Sequence, residues 1–262
     1  MKKKFKVSIL ISVFNCEEYI LDTLQSISNQ TFKNWELIIV NDNSKDQTLD
    51  KIVNFKKKFK KKKKKLINLK KNLGAYKATN IGLKFCSGKY ISFIDADDLM
   101  HKNKIKDQIK ILDQNLEVGL VHNWYIEIDE KNNELTKKKN FFNQYEFNNI
   151  FPIENIICNS STMFRKKILD EIKFYNKNII YAYDYNFFLQ IFKKYRIFGI
   201  KKFYTKYRIH KMQRSQDRRL QRQICKENIY FLNWSFKNKL ISSSNIFKYF
   251  KVLLKNYLKF LF

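Results

Sequence analysis

The sequence predicts an α/β fold: a mostly parallel sheet with helices on both faces, followed by a helical C-terminal tail. Three observations carry this. Short apolar runs rich in β-branched residues alternate with stretches of helical periodicity from residue 7 to about residue 126. Polar and acidic residues stand directly behind three of those runs. A hydrophobic content of 44%, with one proline and five glycines, gives ample material for a core and excludes a disordered chain.

The elements follow in order. "VSILISVF" (7–14) is short enough for a buried strand. Asn15 is placed to start a helix, with Glu18 three residues on as in a capping box, and Ile20, Leu21, Leu24 and Ile27 form its apolar face. "WELIIV" (35–40) is a second buried strand, and Ser44 and Gln47 are placed to open the next helix, which runs into a lysine tract. "LINL" (66–69) reads as a third strand, residues 72–88 as a glycine turn, a helix and a second glycine stop, and "YISFI" (90–94) as a fourth strand. A helix near 103–115 and a strand near 118–126 come next. Beyond residue 130 the pattern weakens. Residues 134–144 read as a loop, 159–172 as a strand leading to a helix, and 182–195 as an amphipathic helix with Asp184 in its first turn. "KYRIHKMQRS" (206–215) reads as a strand end and basic loop, and from 218 the chain is helical, basic and aromatic.

With 53 Lys+Arg against 24 Asp+Glu, the net charge is +29, a field that favours anionic partners. Nine lysines fall within 56–65, a run that reads as a solvated loop or helix end. The charge raises nucleic acid as a partner, but no nucleic-acid-binding module is present and charge does not account for aspartates at strand ends. Cys16, Cys86, Cys158 and Cys225 are widely spaced, with no C-x-x-C pair, which suits a reducing cytoplasm better than a disulfide framework or zinc site. The start "MKKKFKVSILISVF" has a signal-like profile, but Asn15, Glu17 and Glu18 follow at once without a small-residue cleavage site, so it is read as the first strand. No apolar run reaches the ~18 residues of a spanning helix.

Ligands of open α/β sheets bind beyond the carboxyl ends of the strands. Phe14–Asn15, Asn41–Asp42 and Asp95–Asp98 stand there. An Asp-x-Asp behind a buried strand supplies the hard oxygen ligands that Mg²⁺ or Mn²⁺ takes together with substrate phosphates. The competing reading is a helix start whose dipole favours acids. Asp42 is either a turn residue or an acceptor for a base N–H. Asp184 is either a helix-start acid or a general base. His210, beside Arg208, Lys211 and Arg214, suits diphosphate binding or metal ligation, or is part of a solvated basic loop.

Residues 7–48 and "NLGAYKATNIGLKFCSGKYISFIDADD" (72–98) resemble the opening of family 2 glycosyltransferases of GT-A fold, and the likeness continues more thinly through "STMFRK", "YDYNFFLQI" and "YRIHKMQRS". The resemblance implies a Rossmann-like nucleotide-diphospho-sugar transferase domain over 1–215, with 216–262 as a basic aromatic helical extension. It implies a metal-dependent, inverting hexosyl or glycosyl transfer from a nucleotide sugar, taken as a UDP-sugar, to a glycan or lipid-linked acceptor in cell-surface polysaccharide synthesis. Ser12, Phe14, Asn15 and Glu17 would line the nucleotide pocket, Asp42 would contact the base, Asp95 the ribose or sugar, and Arg208 the diphosphate. Asp97 and His210 would hold Mg²⁺ or Mn²⁺, and Asp184 would be the catalytic base. The sequence departs from the family in Asn41 before Asp42, in Thr79 where an arginine is common, so that a phosphate contact is either lost or supplied by Lys77, and in Tyr183 before Asp184. Residues 158–164 are placed to face the acceptor. The interleaved Phe, Tyr, Leu and Lys of 245–262 fit either a helix packed on the domain or an interfacial helix on anionic lipid, making the protein cytoplasmic and peripheral on the membrane.

Two other classes compete. A sugar nucleotidylyltransferase would carry a glycine-rich phosphate loop after the first strand, where this chain has "SVFNCEEY". A non-catalytic nucleotide-sugar-binding relative is disfavoured by the retention of Asp42, Asp97 and Asp184.

Overall fold

A computed structural model describes residues 6–58, 64–172, 179–211, 213 and 221–261. The first half alternates as expected: β1 (Val7–Val13), α1 (Ile20–Ser28), β2 (Trp35–Asn41), α2 (Thr48–Lys58), β3 (Lys64–Asn68), α3 (Ala75–Leu83) and β4 (Tyr90–Phe93). There follow β5 (Leu99–Met100), α4 (Lys104–Gln114), β6 (Val118–Ile128), β7 (Glu134–Lys138), α5 (Gln144–Ile150), β8 (Met163–Arg165), α6 (Tyr183–Lys194), β9 (Arg196–Arg208), α7 (Gln221–Lys237) and α8 (Ile246–Leu261). Part of the lysine tract and the expected boundary at 215/216 lie outside the described residues.

Nine strands form one sheet in the order β3-β2-β1-β4-β8-β6-β9-β5, with β7 paired to β6. β1 to β4 run parallel to one another. β8 then pairs antiparallel with both β4 and β6, while β6 and β9 run parallel. The parallel expectation therefore holds where strands alternate with helices, and the second half is mixed.

Alternation along β1 and β2 sends residues to two cores. Val7, Ile9, Ile11, Leu37 and Ile39 join Ile20, Leu24, Ile27, Ile52 and Ile109 from α1, α2 and α4 on one face. Leu10, Ile38, Val40, Ile91 and Phe93 meet Ala78 and Leu83 of α3 and Phe187, Phe188 and Ile191 of α6 on the other.

Several local expectations change. α1 begins at Ile20 rather than at Asn15, with no side-chain cap, and Leu21 is exposed while Thr23 takes the buried position. The 134–144 stretch contains β7 rather than only loop, because Tyr125–Ile128 of β6 project past β8 and accept a hairpin partner. After β8 only a short 3-10 turn (Lys166–Asp170) forms. β5 has no counterpart among the expected elements. All four cysteines are free.

Candidate active site

The carboxyl ends of β1, β2 and β4 lie side by side. Ser12 accepts a hydrogen bond from the Thr79 hydroxyl at 3.0 Å and lines a small pocket with Thr79, Phe93, Asp95, Asn159 and Tyr183. Phe14 is exposed beside it. Asn15 sits at φ 46°, in the left-handed region that Asn tolerates. Its side-chain oxygen accepts from Lys45 N–H at 2.8 Å, and its own N–H donates to Ser44 Oγ at 3.0 Å. Glu17 Oε2 accepts from Gln47 N–H at 2.7 Å, and Glu17 N–H donates to Asp46 Oδ2. Asn15 and Glu17 thus rivet the loop after β1 to the loop after β2. That duty, not the helix capping expected of it with Glu18, is what Asn15 performs.

Asp42 is buried at the end of β2. Its two oxygens accept from Leu73 N–H and Gly74 N–H, each at 2.8 Å. Burial pushes its carboxyl above the usual range, and the two amide bonds oppose that. Asp42 therefore holds the turn that opens α3. Gly74 adopts φ 87°, a conformation that favours glycine.

Behind β4 the acids diverge. Asp95 N–H donates to Ser160 Oγ, and Asp95 Oδ1 accepts from Asn159 Nδ2 at 2.9 Å. Burial first, then the neighbouring Asp97 charge and that of Asp184, push Asp95 up to about 7. Asp97 Oδ2 meets His210 Nε2 at 2.9 Å, and the His210 ring lies 4.8 Å from that of Tyr19. Asp98 is fully buried and accepts from Arg208 N–H at 2.9 Å, and burial with two acidic neighbours drives its carboxyl well above the ordinary range.

The unforeseen β5 brings these groups together. Its two residues pair antiparallel with β9, Leu99 opposite Lys206 and Met100 opposite Thr205. The Asp95–Asp98 turn is thereby zipped to the end of β9, where Arg208 and His210 follow.

Arg208 does not present its guanidinium as expected of a diphosphate ligand. It is 0% exposed. Nε donates to Asp97 O, Nη1 to the carbonyls of Asp129 and Glu130, and Nη2 to Asn132 Oδ1, with Tyr19 stacked 4.7 Å away. It braces the acidic turn against the β6–β7 turn. Lys77 is exposed on the first turn of α3, its ammonium 5.5 Å from the Tyr76 ring, and Tyr76 in turn lies 6.3 Å from Tyr183. Asp184 is half-buried at the start of α6, where Tyr185 N–H donates to its Oδ1 at 2.8 Å. Its charge helps raise the Asp95 carboxyl, and the preceding Tyr183 lines the small pocket that also holds Asp95.

The sequence reading passed over Asn159 and Ser160 as specific partners of Asp95, and Tyr19 and Gln213 beside His210. Gln213 Nε2 donates to Arg208 O and so closes the turn carrying His210. Nothing in the spacing of Asn159, Ser160 or Tyr19 marks them, since their contacts join distant segments, whereas Gln213 acts locally within its own turn.

The residues present fit a divalent cation. Two cis ligands of an octahedral ion at about 2.1 Å lie about 3 Å apart, which is the Asp97–His210 separation of 2.9 Å. Among the described residues no set of three His, Cys, Asp or Glu is arranged for a metal. Two protein ligands nevertheless suit an ion whose other positions go to phosphate and water.

A strand-edge acidic site over a sheet of this order is the ligand site of an open α/β enzyme. The chain belongs to glycosyltransferase family 2: the family described as Glycosyl transferase family 2 matches residues 8–173, and the protein is a glycosyltransferase. An uncharacterized glycosyltransferase of Methanocaldococcus jannaschii is 32% identical over 98% of this chain and 88% of its own length. The Escherichia coli UDP-Glc:alpha-D-GlcNAc-diphosphoundecaprenol beta-1,3-glucosyltransferase WfaP is 40% identical over 47% of each chain. Among solved structures, residues 1–349 of Staphylococcus aureus TarS in complex with UDP-GlcNAc superpose with a TM-score of 0.70 at 19% identity, over 97% of this chain and 72% of that one. The mannosyltransferase PcManGT of Pyrobaculum calidifontis, in complex with GDP-Man and Mn²⁺, gives 0.66 at 14% identity, over 90% and 65%. The fold is thus GT-A. No helix among the described residues is long and apolar enough to cross a membrane.

Proposed function

We propose that this protein transfers a hexose from a UDP-sugar, with inversion, to a hydroxyl of a glycan or lipid-linked acceptor in the assembly of a cell-surface polysaccharide. The observation that carries the reading is the Asp97–His210 pair beside Asp95 at one sheet edge, with the pocket next to Asp95 lined by Tyr183, the residue before Asp184. UDP as the nucleotide is supported by WfaP, named for UDP-Glc, and by TarS, solved with UDP-GlcNAc.

In this reading Ser12, Phe14 and the riveted Asn15–Glu17 loop shape the nucleotide pocket, with Asp42 fixing its far wall. Asp97 and His210 hold Mg²⁺ or Mn²⁺, whose charge when bound offsets that of the departing diphosphate. Asp95, oriented by Asn159, receives the ribose or sugar hydroxyls. Lys77 and Lys211, both exposed at the rim, supply further positive charge to the diphosphate. Asp184 takes the proton of the acceptor hydroxyl as that oxygen attacks the anomeric carbon opposite the leaving nucleotide. The Tyr185 amide donates to its Oδ1 and so orients the carboxylate for that role.

Calorimetric titration of UDP with Mn²⁺ and then with EDTA tests the donor half. Micromolar, metal-dependent binding is expected. Failure of UDP, GDP and dTDP alike overturns the reading.

A further inference from the structure

We infer that α8 is an interfacial helix that seats the enzyme on an anionic phospholipid bilayer. Viewed down its axis, α8 has three faces. Tyr249, Val252, Leu253 and Asn256 pack inward, against Ile153, Leu232 and Asn228. Tyr249 also stacks on Phe236 and donates to Asn233 Oδ1, which fixes the rotation of the helix. A second face, Phe247, Phe250, Leu254, Tyr257 and Leu258, projects outward, with Phe247 80% and Leu254 61% exposed. Between these two lies a stripe of Lys248, Lys251, Lys255 and Lys259.

Such a face needs an occupant, and charge complementarity selects one. No acidic residue follows Glu227 in the sequence, while six lysines do. A second copy would bring the same lysines and the same net positive charge, with no acidic residue after Glu227 to meet them. Nucleic acid would leave protruding Phe247 and Leu254 without apolar surroundings. An anionic bilayer accepts both features, the rings and leucines entering the headgroup–acyl boundary and the lysines meeting lipid phosphates. Four lysines in sixteen residues keep the helix in the plane of the membrane rather than across it.

The experiment is co-sedimentation of the full chain with phosphatidylcholine vesicles, with and without phosphatidylglycerol, at moderate salt. Binding to the anionic vesicles alone is expected. Phe247→Ser with Leu254→Ser should lower the partition coefficient about a hundredfold, and Lys251→Gln with Lys255→Gln about thirtyfold. These positions are exposed, so UDP binding and thermal midpoint should stay at wild-type values. Wild-type protein that ignores anionic vesicles overturns the inference, as does equal binding by the Phe247/Leu254 variant. A dimer in solution that this variant dissociates, without vesicle binding, would assign the face to self-association instead.

A different observation carries a second inference. The geometry points to Glu227 of α7 as a positioning residue for Asp184, which rests on the proposed role of Asp184 as base. Glu227 is buried, and its carboxylate accepts from the N–H groups of Ile180, Tyr181 and Ala182 at 2.8–3.3 Å. Gln223 Nε2 donates to the same carboxylate at 3.0 Å. These three amides lead directly into Asp184, so the C-terminal hairpin fixes the entry to α6. Glu227→Gln turns an NH₂ group toward backbone donors. It should lower kcat about 10–100-fold with UDP affinity unchanged, as a misplaced reacting group does, measured below both thermal midpoints. Asp184→Asn run in parallel separates the failures. Turnover surviving in Asp184→Asn overturns the base assignment itself. An inactive Asp184→Asn beside a fully active Glu227→Gln overturns only the positioning role, and so does a Glu227→Gln that loses UDP affinity in step with kcat.

Discussion

Asp97 Oδ2 and His210 Nε2 lie 2.9 Å apart although 113 residues separate them in sequence. The β5–β9 pairing and the Arg208 bonds to Asp97 and Asp98 hold the two segments together. If the pair holds the metal, the two act as a unit. Asp97→Asn and His210→Gln should each weaken Mn²⁺-dependent UDP binding tenfold or more, equivalent to at least ~1.4 kcal/mol. The double variant should be little worse than either single one, because the second removal takes nothing further from a broken site. Calorimetry on the three variants checks this, and additive losses would separate the two residues.

Asp184→Asn should lower kcat about 10²–10⁴-fold, the usual worth of a general base. Metal-dependent UDP affinity should stay near wild type, because in the proposed mechanism Asp184 takes the acceptor proton and holds neither metal nor nucleotide. Steady-state kinetics beside UDP titration reads both quantities. Wild-type turnover would remove Asp184 from the role.

The parallel half of the sheet was legible because each strand there is a continuous apolar run bounded by polar punctuation. The strand-end acids were legible for the same reason, since Asp42, Asp95 and Asp97 each end a run. What each side chain does was less so. Asn15 looks like a helix start locally, and only the neighbouring loop after β2 shows that it and Glu17 accept from the Lys45 and Gln47 amides. β5 is two residues long, too short for any periodicity, yet it decides the geometry of the site. Arg208 follows a strand as a diphosphate ligand would, but its surroundings of four carbonyl and amide oxygens come from Asp97 and from a turn some 80 residues earlier in the chain, with separations of 111 and 76–79.

That burial makes a prediction for Arg208. Arg208→Met should destabilise the fold by about 3–5 kcal/mol, since it strands buried acceptors around the acidic turn. The thermal midpoint should fall by about 10 °C for a chain of this size. Differential scanning calorimetry reads it. An unchanged midpoint with UDP affinity lost would return Arg208 to the nucleotide site.

Lys104 gives the pH prediction. Its ammonium is fully buried at the start of α4, 3.0 Å from Ser92 Oγ and 3.4 Å from Thr162 O, with no carboxylate among those partners. Burial lowers it from the ordinary lysine range to about 7. In the unfolded chain it titrates near ~10.4. Below pH 7 both states carry the proton and Lys104 contributes no slope. Between pH 7 and ~10 the unfolded state holds a proton that the folded state has released, so stability from this group rises with pH. Buried thiols such as Cys86, pushed up to about 12 by burial, act in the opposite sense over part of this range. The informative quantity is therefore the stability of wild type minus that of Lys104→Met, measured by urea unfolding from pH 6 to pH 10. That difference should rise in favour of wild type by about 2–4 kcal/mol across the window. A flat difference would mean that Lys104 stays charged in the folded protein, its ammonium held by Ser92 and Thr162 alone.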